Sequence, residues 1–154
     1  MQTVKTLPHN LDAEIAILGG CLLNNRIIKQ VSNLIGPEDF YKSAHSIIFS
    51  VMQEMDGDHV EIDLVTLAAY LDRTGNLART GGHEYLTGIS DAISISAGWR
   101  SHAELIKELS NLRKTINLCN ATIEAVYTKH TYNDVKGALK QGVLNIEKEQ
   151  GIAI

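Results

Sequence analysis

Residues 105–126 read LIKELSNLRKTINLCNATIEAV. Leu105, Leu109, Leu112, Ile116, Cys119, Ile123 and Val126 recur at alternating steps of four and three. That spacing is the a/d seam of a helix, kept up over three heptads. A helix running from about residue 97 to about residue 129 would be about 50 Å long, which overshoots any compact head the preceding residues can build. Beyond it, residues 131–134 read as a polar turn, and Val135, Leu139, Val143 and Ile146 as the apolar stripe of a second helix. Two such helices joined by a short turn make an antiparallel hairpin. The seam is expected to pair within the hairpin first, and any apolar surface left over with another chain.

The sequence before the seam is helical too. Asn10 is placed to cap a first helix, with Asp12 and Glu14 suited to its positive end. Leu11, Ile15, Leu18 and Leu22 then form one buried stripe. Gly19 and Gly20 fall inside this helix, where each costs about 1 kcal/mol against alanine, so a close helix crossing is expected there. Asn24 and Asn25 restart the chain for a short second helix through Ile27, Ile28 and Val31, ended by Gly36-Pro37. A third helix over residues 43–55 buries Ile47, Ile48, Val51 and Met55, and residues 56–61 form a polar loop. Asp63 caps a fourth helix carrying Leu64, Leu67, Ala68 and Leu71, with Gly75 as its stop. Gly81-Gly82 marks the loop before a fifth helix through Tyr85, Leu86 and Ile89. The expected fold is all-α: a globular bundle of about five short helices, then a long helix and an antiparallel helical hairpin. Residues 1–100 make the head and residues 101–154 the long helix and hairpin, in one structural domain.

The whole chain has 154 residues, 44% of them apolar, which is enough to fill a core without disulfides or metals. Fourteen Lys and Arg against eighteen Asp and Glu leave a net charge of −4, and no basic run stands out. That balance argues against a surface built to grip phosphates, and direct nucleic-acid binding is not expected. Cys21 and Cys119 are too few and too distant for a disulfide framework, which points to a reducing cytoplasm. The longest apolar run, residues 15–23, falls short of the roughly 20 residues of a membrane span.

Motifs for chemistry are missing. No glycine is followed by lysine, so the phosphate-binding loop has no place here. Asp56, Asp58 and Glu61 crowd one loop, but Val60 and Glu61 break the calcium-loop pattern, and a solvated acidic loop is the better reading. The six histidines lack metal-ligand spacing. His45 reads as a hydrogen-bonded structural histidine, and Cys21 and Cys119 as small buried hydrophobes. Trp99 and Tyr132 bracket the long helix, as partner anchors or as local packing. An enzyme assembled from His45, Asp39 and Glu61 has no pair at a mechanistic spacing to support it. These readings give a helical binding or assembly module with no catalytic, cofactor or metal residues.

Several strings are more specific. PHNLDAEIAILGGCLLNN (8–25), DFYKSAHSIIF (39–49), EIDLVTLAAYLDRTGNL (61–77), GGHEYLTGIS (81–90) and VLNIEK (143–148) follow one another in order over nearly the whole chain. Together they resemble the amino-terminal domain of the bacterial or phage replicative DNA helicase of the DnaB family. The resemblance implies a helical head with a hairpin, self-association as dimers or as a trimer of dimers in a collar, and docking of primase and, in some systems, a helicase loader. It implies ATP and magnesium only for a motor domain beyond Ile154, with no membrane partner. On this reading Ile116, Cys119, Ile123, Val126, Val135, Leu139, Val143 and Ile146 carry the hairpin's self-association. The alternative is a stand-alone adaptor or inhibitor that mimics the collar and binds helicase or primase.

Overall fold

The computed structural model describes residues 5–92, 98–128 and 131–148. Among them every regular element is helical: α1 (Leu11–Leu23), α2 (Ile27–Ser32), α3 (Ser43–Gly57), α4 (Leu64–Arg73), α5 (Gly82–Asp91), α6 (Trp99–Thr128) and α7 (Tyr132–Lys148). Two 3-10 turns, Pro37–Asp39 and Ala78–Thr80, complete the set. The all-α class and the succession of five short helices and two longer ones are as expected. The expected ends of the long helix near residues 97 and 129 lie outside the described residues.

The chain forms two compact units, one of residues 9–107 and one joining residues 5–8 to those from 108 onward, so the division falls inside α6. In the first unit Asn10 caps α1 by accepting the Ala13 amide at 3.0 Å. α1 packs against α2, α3 and α5. Being enclosed on several sides, it buries Ala13, Ile17, Leu18 and Cys21, whereas Leu11, Ile15 and Leu22 are only half-buried. A one-sided stripe therefore misjudged which positions go deepest. Gly19 and Gly20 are both buried within the helix.

Helix ends also moved from their expected places. α2 stops at Ser32 because the amides of Leu34 and Ile35 turn back onto the Val31 carbonyl. The next turn begins at Gly36, whose amide donates to Asp39 Oδ2. α3 continues through Asp56 and Gly57, which shortens the expected loop. Asn25 ties that loop to α1: its Oδ1 accepts the Ile62 amide, and its Nδ2 donates to the Ile62 and Cys21 carbonyls. Asp63 and Thr66 cap α4 reciprocally, each accepting the other's backbone N–H. The turn before α5 needs Gly81, whose φ of +91° suits glycine and whose missing Cβ leaves room for Tyr85.

The expected polar turn at residues 131–134 is mostly the first turn of α7. Thr131 Oγ1 accepts the Asp134 amide and its carbonyl accepts the Val135 amide, so Thr131 is a cap rather than a loop residue. Gly142 lets α7 come close to α6, since a Cβ there would overlap the Leu118 side chain. Leu118 lies ten residues before the end of α6 and Gly142 ten after the start of α7, which is the register of an antiparallel hairpin.

Candidate interaction surface

α6 presents three faces, roughly a third of a turn apart at about 100° per residue. The first carries Ala103 and Ile106, which are core residues of the first unit, and further along Ser110 and Arg113, also buried. Arg113 Nη1 donates to the Pro8 carbonyl at 2.9 Å, holding the start of the chain to the helix. The second face carries Lys114, Leu118, Thr122 and Ala125, all half-buried, and it meets Gly142 of α7 through Leu118. The third is the a/d seam. Leu105, Leu112, Ile116, Ile123 and Val126 are exposed, Ile123 by 58%, Cys119 is exposed as well, and Leu109 is half-buried.

The seam therefore does not pair within the hairpin, contrary to expectation, and Cys119 is not a buried hydrophobe. A heptad repeat shows which residues share a face but not which neighbour covers it. Here the bare backbone of Gly142 lets α7 approach the neighbouring face at Leu118. What remains is an apolar strip about 30 Å long with no cover from its own hairpin. Of the eight hairpin residues singled out in the sequence, none is fully buried: Val135 and Ile146 are half-buried, and Leu139 and Val143 are exposed. α7 has no buried residue at all.

A polar cluster inside the first unit escaped the sequence reading. Glu14 is buried rather than presented at the helix end. Its carboxylate accepts the amides of Tyr41 at 2.8 Å and Lys42 at 3.3 Å, and sits 2.7 Å from His45 Nδ1. His45 Nε2 in turn lies 2.7 Å from the Tyr85 hydroxyl. Burial pushes the Glu14 carboxyl up, but the hydrogen bonds from His45, Tyr41 and Lys42 outweigh it and hold the group below the usual glutamate range. His45 is thus the structural histidine expected. The signal for Glu14 was an acid and a histidine each set on an apolar helix face.

The scattered set His45, Asp39 and Glu61 is not one site. Asp39 serves Gly36 and Lys107, and Glu61 is exposed. Among the described residues no group of three or more His, Cys, Asp or Glu could hold a metal ion. Burial, with the Asp56 charge behind it, pushes the Cys21 thiol up to about 12, as suits an inert core cysteine. Trp99 packs against the core of the first unit, whereas Tyr132 is exposed with Lys136 Nζ 5.5 Å from its ring centre. No helix among the described residues is long and apolar enough to cross a membrane.

The sequence matches the family described as DnaB-like helicase N terminal domain over residues 6–108. It is 32% identical over 148 residues to the replicative DNA helicase DnaB of Buchnera aphidicola subsp. Baizongia pistaciae, covering 96% of this chain and 31% of that protein. The chain thus spans about a third of the length of this curated relative. The fold is similar to the crystal structure of the N-terminal domain of DnaB helicase from Mycobacterium tuberculosis, with a TM-score of 0.82 and 29% identity over 93% of this chain and 99% of that one. It is also similar to a structure of a DnaB-like replicative helicase and its interactions with primase, with a TM-score of 0.72 and 27% identity over 91% of this chain and 31% of that one.

Proposed function

Because the chain belongs to the DnaB-like helicase N-terminal domain family, we propose that it is the assembly and docking part of a replicative helicase. The single observation that carries this reading is the uncovered apolar strip of α6, lined by Ile116, Cys119, Ile123 and Val126. Exposed apolar strips of this length mark interaction surfaces, and a heptad seam selects a second helix. The partner is a second copy of the chain, with Leu139 and Val143 of α7 adding apolar area beside the strip. Val135 and Ile146 gain burial in the same contact. In a hexamer such pairs make a trimer of dimers.

The relative solved for its interactions with primase supports primase as the docking partner of this assembly, and a helicase loader is the second partner to test. In this role the chain works in the cytoplasm at replicating DNA. It hydrolyses nothing itself, and ATP with magnesium serves a motor domain. The head expected over residues 1–100 and the self-association arm expected over residues 101–154 then divide inside α6, nearer residue 107.

Ile123→Asp tests the reading. Ile123 is more than half exposed, so a charge there costs the folded monomer little but is costly in an apolar interface. Sedimentation should show the parent chain gaining mass with concentration and the variant remaining monomeric with an unchanged helical signal. Equal mass for both at every concentration sinks the assignment.

A further inference from the structure

The aromatic side chains divide sharply between the two units. Phe40 and Phe49 lie in the core of the first unit, Tyr70, Tyr85 and Trp99 pack against it, and Tyr41 stacks on His9 at 4.0 Å. The second unit holds the remaining two, and both stand in water: Tyr127 is 84% exposed and Tyr132 76%. Tyr127 is the next-to-last residue of α6 and Tyr132 the first of α7, so both stand at the same end of the hairpin. Two aromatic side chains this bare at one place have most of their area to give to a partner.

The net charge of −4 is shared as unevenly. Residues 9–107 carry thirteen Asp and Glu against seven Lys and Arg, whereas the rest of the chain carries five against seven. The acidic balance that argues against nucleic acid therefore belongs to the first unit. On α7, Lys136 and Lys140 follow Tyr132 at steps of four, on one exposed stripe. Lys136 Nζ lies 5.5 Å from the Tyr132 ring centre.

We infer that this end of the hairpin holds single-stranded DNA, with bases stacked on Tyr127 and Tyr132 and phosphates at Lys136 and Lys140. Aromatic faces beside cations are what an unpaired strand requires, since every base has a π-face and every linkage a negative charge. A second copy of the chain is served worse by this stripe, because covering it would strip water from two ammonium groups. The choice of DNA among such strands rests on the proposed place of the chain in a replicative helicase. Acids on the same helices mostly stand aside. Asp134 lies about 200° round α7 from Tyr132, and Glu147 is about 10 Å further along than Lys140. Glu124, one turn before Tyr127, opposes a phosphate there.

Fluorescence anisotropy of labelled oligo(dT), titrated with the 154-residue chain at low salt, tests the site. Oligo(dT) should bind more tightly than a duplex of the same length. For two phosphate contacts, log affinity should fall against log salt with a slope of about −1.4. Tyr132→Ala should weaken binding about fivefold or more. Lys136→Gln should flatten the salt slope by about 0.7, and Glu124→Gln should tighten binding. All three sites are exposed, so each variant should keep the helical signal and the sedimentation of the parent. Ile123→Asp should keep the affinity, so mass reads the assembly and anisotropy reads this site. No binding at low salt, equal binding of the duplex, tighter binding of oligo(U), or an unchanged affinity in Tyr132→Ala would each overturn the inference. Loss of self-association in Tyr132→Ala would overturn it too, by giving that side chain to the contact between copies.

Discussion

Glu14 is satisfied on three counts, because its one buried carboxylate accepts two backbone amides and faces one imidazole. Glu14→Gln keeps the size but removes the charge and leaves one of the three N–H donors facing an amide nitrogen. The expected loss is roughly 2 kcal/mol or more at neutral pH, read from urea melts. The folded carboxyl sits below the ordinary glutamate value of 4.5. Its contribution is therefore fully present above that value and is lost as the pH falls through the lower folded one. The stability gap between parent and variant should be widest near neutrality and should shrink below about pH 4.5. A gap that grows on further acidification would mean that the carboxyl is not ionised in the fold.

At the scale of single helices, α7 carries two glycines with opposite surroundings. Nothing lies within 4 Å of a Cβ at Gly137, whereas one at Gly142 would overlap Leu118. Gly137→Ala should therefore stabilise the hairpin by up to about 1 kcal/mol, the ordinary helix-propensity gain. Gly142→Ala should gain less or lose outright, because Leu118 must shift. Thermal melts of the two variants that rise equally would refute the close approach. Helices were legible in the sequence wherever apolar spacing met a cap: Asn10, Asp63 and Gly75 all stand at helix ends. The eight hairpin residues were legible as a face but not as covered or uncovered, since the seam pattern of α6 is the same whether α7 or another chain lies on it. Glu14 was misplaced for a related reason: an acid in a first helical turn normally faces water and the helix dipole, and it is His45, on a different helix, that it meets inside.

The two units differ in what holds them. Residues 9–107 enclose a core with Ile17, Ile48, Phe49, Met52 and Leu67 fully buried, while α7 buries none of its side chains. A helix of seventeen residues without burial is marginal in water, so within the isolated chain α7 should open far more often than α3. The proposed association through the α6 strip would change that balance by mass action. Amide exchange measured at two protein concentrations should show α3 protected in both and α7 slowing markedly in the concentrated sample. The cysteines give an independent readout on the same molecules. Cys21 is fully buried and its thiol held near 12, so it should react only after unfolding. Cys119 lies on the uncovered strip and should react readily when dilute and slowly when concentrated. If α7 exchange and Cys119 labelling both ignore concentration, the strip is not where copies of this chain meet; if they slow together, one surface both stabilises the hairpin and builds the assembly.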